Sequence, residues 1–217
     1  MPVLDSSPLA LQRSGLVEYE EALAIQRTIH GEVASGKRAN TLILLEHPSV
    51  YTAGKRTLDE ERPGNGAKVL DVDRGGKITW HGLGQLVGYP IIKLKNSTDV
   101  VGFVRELENA LIQVCSEFGI QSQRYCERSG VWIRDAKGDR KIAAIGLRVA
   151  KGVTMHGFAL NVNPDLSAYD QIIPCGILDA KVTSLSVELS RPISISEVMP
   201  ILQKHINPML ERVADEH

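Results

Sequence analysis

Few side chains in this sequence have types and spacing that suggest chemistry. From Arg74 to Pro90 it reads RGGKITWHGLGQLVGYP, five glycines around the guanidinium of Arg74, the amine of Lys77 and the imidazole of His81. A dinucleotide fingerprint would need G-x-G-x-x-G opening a helix; Gly82 and Gly84 fit, but Val87 holds the third position and an apolar strand pattern follows. A Walker A loop would need Gly-Lys followed by Ser or Thr, and no such triplet occurs. Glycines here either make turns or leave backbone bare for a ligand to approach closely. Arg74 and His81 bracket the same segment, which gives weight to the second reading for the cluster as a whole.

The candidate nucleophiles are three cysteines. Cys115 shares the apolar phase of a helical pattern beside Val114 and reads as a buried structural thiol. Cys126, in RYCERSG, lies among charges near a turn and reads as incidental. Cys175 sits in IIPCGILDAKVTSL, where Pro174 fixes the approach and Gly176 leaves space beside the sulfur. A free thiol titrates near ~8.5, so bringing it to about 7 takes roughly 2 kcal/mol of stabilisation from a cation or a base. Lys141 is one source, at the entrance of the small and apolar run KIAAIGLRV; the alternative is a solvated strand-end lysine beside Arg140. His81 and His156, each before a glycine, are either satisfied core histidines or bases for the thiol, as in a Cys-His hydrolase. Neither belongs to a Cys or carboxylate cluster with metal-ligand spacing, so no metal site is expected.

Elements must position these groups. Apolar recurrence predicts an amphipathic helix over residues 17–33 and another over 99–118, capped by Ser97 or Thr98. TLILLE (41–46) reads as a buried strand, 47–68 as a loop with a brief strand at 50–52, and 86–94 as a strand. Residues 68–73 and 77–80 read as a hairpin joined by Gly75-Gly76; residues 130–134 and 141–150 flank a second turn, DAKGDR, and 153–162 adds a third strand to that group. SISE (194–197) is a capping box opening a last helix that Pro200 and Pro208 would break or bend. Short connections between strands favour an antiparallel or mixed sheet packed with helices, an α+β fold in one domain over residues 1–217.

The bulk numbers narrow the class. Hydrophobic residues make up 43% and charged residues 24%, ordinary for a soluble globular protein, and a net charge of −1 argues against nucleic acid as partner. No apolar run reaches the ~18 residues of a membrane span, the first residues do not form a secretory signal, and three cysteines without a C-x-x-C suggest reduced thiols in the cytoplasm.

Three segments in order resemble the octanoyltransferase family of lipoate biosynthesis. RGGKITWHGLGQLVGYP is similar to the family's RGG-x-x-T-x-HGPGQ-x-x-x-YP, RKIAAIGLRV to its lysine segment, and VTMHGFALNV followed by IIPCGI and VTSL to its strand-and-cysteine segment. Leu83 departs from the family's usual proline, which loosens a turn but removes no reacting group. The resemblance covers most of the chain and implies an α+β fold like the catalytic module of lipoate and biotin protein ligases. It implies an acyltransferase that takes octanoyl from acyl carrier protein and places it on a lysine of lipoyl domains, in the E2 subunits of 2-oxoacid dehydrogenases and the H protein of glycine cleavage, with no cofactor. Carried over, Cys175 matches the nucleophile and Lys141 the residue that lowers its pKa. Arg74, Gly75, Gly76, Lys77, Ile78, Thr79, Trp80 and His81, then Ala144, Ile145 and Gly146, then Gly157, Phe158 and Ala159, match substrate-binding segments. Small residues among them would leave room for an eight-carbon chain, and Arg38, Lys55, Arg56, Arg148 and Lys151 could dock an acidic carrier. The competing readings are an ATP-dependent lipoate or octanoate ligase, a Cys-His hydrolase, and a non-catalytic acyl- or lipoyl-domain-binding protein.

Overall fold

The structure, a computed structural model, describes residues 9–126, 128–173 and 181–215. Its main feature is an eight-stranded mixed sheet in the order β1-β2-β6-β10-β9-β8-β7, with β11 added beside β9. The strands are β1 (Leu9–Leu16), β2 (Asn40–Glu46), β6 (Gln85–Ile91), β7 (Gln123–Tyr125), β8 (Arg128–Asp135), β9 (Gly138–Ala150), β10 (Val153–Asn161) and β11 (Lys181–Val182). A three-stranded sheet, β4 (Val69–Asp71), β3 (Val50–Ala53) and β5 (Thr79–His81), lies in the order β4-β3-β5. The helices are α1 (Tyr19–Ala34), α2 (Val100–Glu117), α3 (Leu185–Leu189) and α4 (Ile195–Val213).

Period-two alternation decides what each face of the large sheet meets. Leu42, Leu44, Leu86, Phe158, Leu160, Ala143 and Ile145 point to one core, which α2 and α4 close with Leu107, Leu111, Leu202 and Ile206. Ile43, Leu45, Val87, Tyr89 and Ala159 point to the opposite side, where α1 contributes Ala22, Ile29 and Val33. The α+β fold, with a mixed sheet packed by helices, is the architecture the sequence implies.

Several local expectations change. Residues 68–73 and 77–80 do not form a hairpin: β3 lies between β4 and β5, pairing with β4 in parallel and with β5 antiparallel. Gly75 and Gly76 instead fold around the Arg74 side chain, which takes the carbonyls of Gly75 and Lys77. Asp99, not Ser97 or Thr98, caps α2, its Oδ1 accepting from the Gly102 amide at 2.7 Å. Pro200 and Pro208 both lie inside one continuous helix, α4, whose Ser194 side chain accepts from the Glu197 amide. β1 was not anticipated; it is an edge strand, parallel to β2.

Candidate functional site

A cavity of about 320 Å³ opens on the α1 side of the large sheet. Its floor crosses the strands. Ala144 and Gly146 on β9 lie opposite Ala159 and Gly157 on β10, and Ala159 lies opposite Val87 on β6. Ile145 and Phe158 also belong to the lining, but their side chains pack in the α2/α4 core, so they offer it backbone. Tyr19, Tyr89 and His81 stand at the β6 end, and Arg128, Ser129 and Lys141 at the other.

Lys141 reaches this face because β9 carries a bulge. Val131 pairs with Ala143 but Trp132 pairs with Lys141, so Ile142 is an extra residue on β9. Strict alternation would send Lys141 to the core side with Ala143 and Ile145. The bulge leaves Ile142 and Ala143 both in that core and turns Lys141 to the cavity face with Ala144 and Gly146. Lys141 is 7% exposed, and its Nζ stands 4.9 Å from the centre of the Trp132 ring, a cation–π contact. Gly130 makes the passage: a Cβ there would lie 2.8 Å from Lys141 Cε. The Gly130 amide is held at 2.9 Å by Oε1 of the fully buried Glu108.

Arg74 organises the roof. Its Nη1 donates to the carbonyls of Gly75 (3.0 Å) and Lys77 (2.9 Å), and its Nη2 to the carbonyl (2.8 Å) and hydroxyl (3.0 Å) of Thr52. The side chain is 7% exposed, and its charge is met by backbone dipoles from β3 and its own loop. Bare backbone allows this: Gly76 adopts φ +88°, and a Cβ on Gly146 would lie 3.0 Å from Arg74 Cδ. The Gly75 amide then donates to Leu147 O at 2.9 Å, pinning the roof to β9 beyond the end of β8. The glycines thus make space for a buried arginine before they make space for any ligand.

Two buried imidazoles, His81 and His156, complete the walls, and a third, His47, backs Tyr89. His47 Nδ1 donates to Val17 O at 2.6 Å, so its Nε2 accepts from the Tyr89 hydroxyl at 2.7 Å. His81 Nδ1 donates to Gln85 Oε1 at 2.7 Å. Burial and the neighbouring His47 push the His81 pKa down to about 3. His156 adopts φ +58°, its amide donates to Gln26 Oε1, and its Nε2 donates to Asp73 Oδ1 at 2.8 Å. Burial lowers its pKa as well. For Asp73, burial alone would raise the carboxyl, but the hydrogen bond from His156 and the nearby positive charge of Arg148 outweigh it and hold it low. His156 Nδ1 is buried without a partner among the described residues, so the ring as placed does not present a base to the cavity.

These neutral rings give a pH dependence of known sign. A histidine titrating near 6.5 when unfolded and about 3 when folded costs no stability above pH 6.5 and progressively more as pH falls toward 3. At pH 5 His81 alone removes about 2 kcal/mol. Urea unfolding at pH 7.5 and pH 5.0 is expected to show a smaller difference, by about that amount, in His81→Gln than in the parent. An unchanged difference would contradict a neutral, buried His81.

Of the residues singled out from sequence, Arg56, Arg74, Gly76, Lys77, Thr79, His81, Lys141, Ala144, Ile145, Gly146, His156, Gly157, Phe158 and Ala159 line the cavity. Gly75, Ile78 and Trp80 do not. Gly75 is taken up by backbone bonding to Leu147, and Ile78 and Trp80 pack with Tyr51, Tyr169 and Ile172 behind the small sheet. Cys175 lies outside the described residues. Cys115 is buried, with burial pushing its thiol up to about 11, and Cys126 is exposed. Among the docking candidates, Arg38 pairs with Glu32 and Arg148 with Asp73, while Lys55 and Arg56 are exposed and bonded through their amides to the roof loop. Sequence reasoning missed Tyr19, Val87, Tyr89, Arg128 and Ser129; the alternation of LVGYP puts Val87 and Tyr89 on one face and could have shown those two. Among the described residues no group of His, Cys, Asp or Glu could hold a metal ion, and no helix is long and apolar enough to cross a membrane.

This sheet with its trough defines a class. Lipoate-protein ligase A bound with ATP superposes with a TM-score of 0.73 at 18% identity, over 96% of this chain and 87% of that one. A bipartite lipoate protein ligase from Thermoplasma acidophilum gives 0.69 at 18% identity, over 96% and 85%. Biotin protein ligase from Aquifex aeolicus gives 0.53 at 14% identity, over 94% and 69%. The fold is therefore that of the lipoate and biotin ligase catalytic modules. Residues 18–207 match the lipoyl protein ligase A/B catalytic domain. An octanoyltransferase of Salinispora tropica is 54% identical over 205 residues, covering 94% of this chain and 96% of that protein. One of Clavibacter sepedonicus is 57% identical over 195 residues, covering 88% and 84%. The chain belongs to the lipoyl protein ligase A/B catalytic-domain family and, within it, to the octanoyltransferases.

Proposed function

We propose that the protein moves an octanoyl group from acyl carrier protein to a lysine of lipoyl domains, those of 2-oxoacid dehydrogenase E2 subunits and the glycine cleavage H protein, through a thioester on Cys175. It would do so as one catalytic domain, in the cytoplasm, where thiols stay reduced. No cofactor is needed, because thioester exchange is nearly thermoneutral and amide formation from a thioester runs downhill.

The observation that carries this reading is the placement of Lys141. The bulge at Ile142 puts its amine on the wall of the cavity, whose floor is small and apolar, and Val182 on β11 pairs directly with it. The Thr183 amide then donates to Lys141 O at 2.9 Å. Cys175 belongs to the segment that joins Ile173 to this strand. At the other end the Ile173 amide reaches Glu61 O, and Glu61 forms an ion pair with Lys77 of the cavity wall. Both described ends of that segment are thus tied to the cavity.

In this reading the Lys141 amine takes the Cys175 proton, and the resulting ammonium stabilises the thiolate. The thiolate attacks the donor carbonyl, a new C–S bond forms, and the carrier's thiolate leaves with the proton from Lys141. The lipoyl-domain amine then attacks the Cys175 thioester and forms the amide; its proton passes to Lys141, restoring the ion pair. Backbone N–H groups are the natural holders of the transient oxyanion.

Purified protein given octanoyl-acyl carrier protein and a lipoyl domain, without ATP, is expected to yield N-octanoyl-lysine on the acceptor, and Cys175→Ser to yield none. Octanoylation only from free octanoate plus ATP, insensitive to Cys175→Ser, would instead select a ligase. Release of free octanoate would mark a hydrolase, and binding without transfer a non-catalytic protein.

A further inference from the structure

We infer that Val87 sets the length of acyl chain the cavity accepts. The inference rests on the proposed octanoyl transfer and specifies its chain-length control. The floor has two rows of side chains across the sheet. One runs Ala144, Ala159, Val87, from β9 through β10 to β6. The other starts from the facing pair Gly146 and Gly157, with Tyr89 beyond them on β6. Both rows are small on β9 and β10 and turn bulky on β6. The next residues across, Leu45 opposite Val87 and Ile43 opposite Tyr89 on β2, pack under α1 and take no part in the lining. The trough therefore ends at β6.

Its length suits the cargo. Two inter-strand spacings, from β9 to β6, span about 10 Å. An extended eight-carbon acyl group covers about 9 Å from carbonyl to methyl at ordinary bond lengths. With the carbonyl near Lys141, the terminal methyl meets β6. Of the two stops there, Tyr89 is fixed by the hydrogen bond from its hydroxyl to His47, whereas Val87 is held by packing alone and is 1% exposed. The size of Val87 is thus the adjustable limit, and the methyl of Ala159 is the floor one strand nearer to the amine.

The test is the chain-length profile of kcat/KM for hexanoyl, octanoyl and decanoyl donors in the parent, Val87→Ala and Ala159→Val, with thermal unfolding of each. Val87→Ala is expected to raise the decanoyl-to-octanoyl ratio about tenfold, the effect of burying two further methylenes. Ala159→Val is expected to raise the hexanoyl-to-octanoyl ratio by about the same factor. Should either variant fail to fold, the other still shifts the profile in its own direction. Parent-like profiles in the folded variants, with octanoyl transfer intact, would overturn the role of Val87 and leave the functional reading standing. A parent that transfers no acyl group of any length would overturn both.

Discussion

Replacing Lys141 by alanine is expected to slow acylation of Cys175 by about a hundredfold to ten-thousandfold, the range for a positioned acid–base group. The bulge at Ile142 exists at the expense of a regular β8–β9 ladder, and what it achieves is to move one amine from the core face to the cavity face. Trp132 and Gly130 then fix where that amine stands: the indole ring supports the cation, and the missing Cβ lets the stem pass. The measurement is single-turnover intact mass with an octanoyl donor, together with the pH dependence of Cys175 alkylation. If the proposed pairing holds, the inflection of the alkylation curve should move upward in Lys141→Ala, as expected for a thiolate that loses a neighbouring cation. His156→Gln should harm acylation far less, since His156 Nε2 is committed to Asp73 and its Nδ1 is buried. Equal loss in both variants would remove support for the lysine.

Arg74→Met should destabilise the protein by about 3–5 kcal/mol, the cost of leaving several buried acceptors without their donor. Four hydrogen bonds disappear together, and the carbonyls of Thr52, Gly75 and Lys77 are left facing apolar surroundings. For a chain of this size the lower end of that cost moves Tm down by about 10 °C. Arg74→Lys should recover little, because a single ammonium cannot reproduce the planar fork that reaches β3 and the roof loop at once. Calorimetry of the parent and both variants checks this; a parent-like Tm in Arg74→Met would show that the roof does not depend on the guanidinium.

What could be read from the sequence, and what could not, divides along physical lines. TLILLE and the alternating run of β10 carry their burial in their own residue types, so those strands were visible. The last helix was visible too, because Ser194 caps it through a local hydrogen bond. The β4–β5 hairpin was misread because Gly75-Gly76 has the composition of a tight turn, while the partner that separates the two strands, β3, lies some twenty residues back along the chain. β1 escaped because LALQRSGL is an edge strand with mostly polar or exposed positions, its stability supplied by β2. The glycine-rich segment was read as a candidate site element and part of it lines the cavity, yet its glycines first accommodate Arg74, which no local pattern reveals. Most telling is Lys141. In KIAAIGLRV its parity matches the core-facing residues, and only the pairing with β8 shows the slip that turns it to the cavity.

In the proposed reaction Cys175 carries the acyl group between donor and acceptor. The direct measurement is intact mass of the protein after incubation with octanoyl-acyl carrier protein alone, followed by peptide mapping and then by addition of a lipoyl domain. One octanoyl group is expected on Cys175, lost to the acceptor lysine when the domain is added. Transfer to the acceptor at the full rate with no adduct on Cys175, or undiminished in Cys175→Ala, would contradict it.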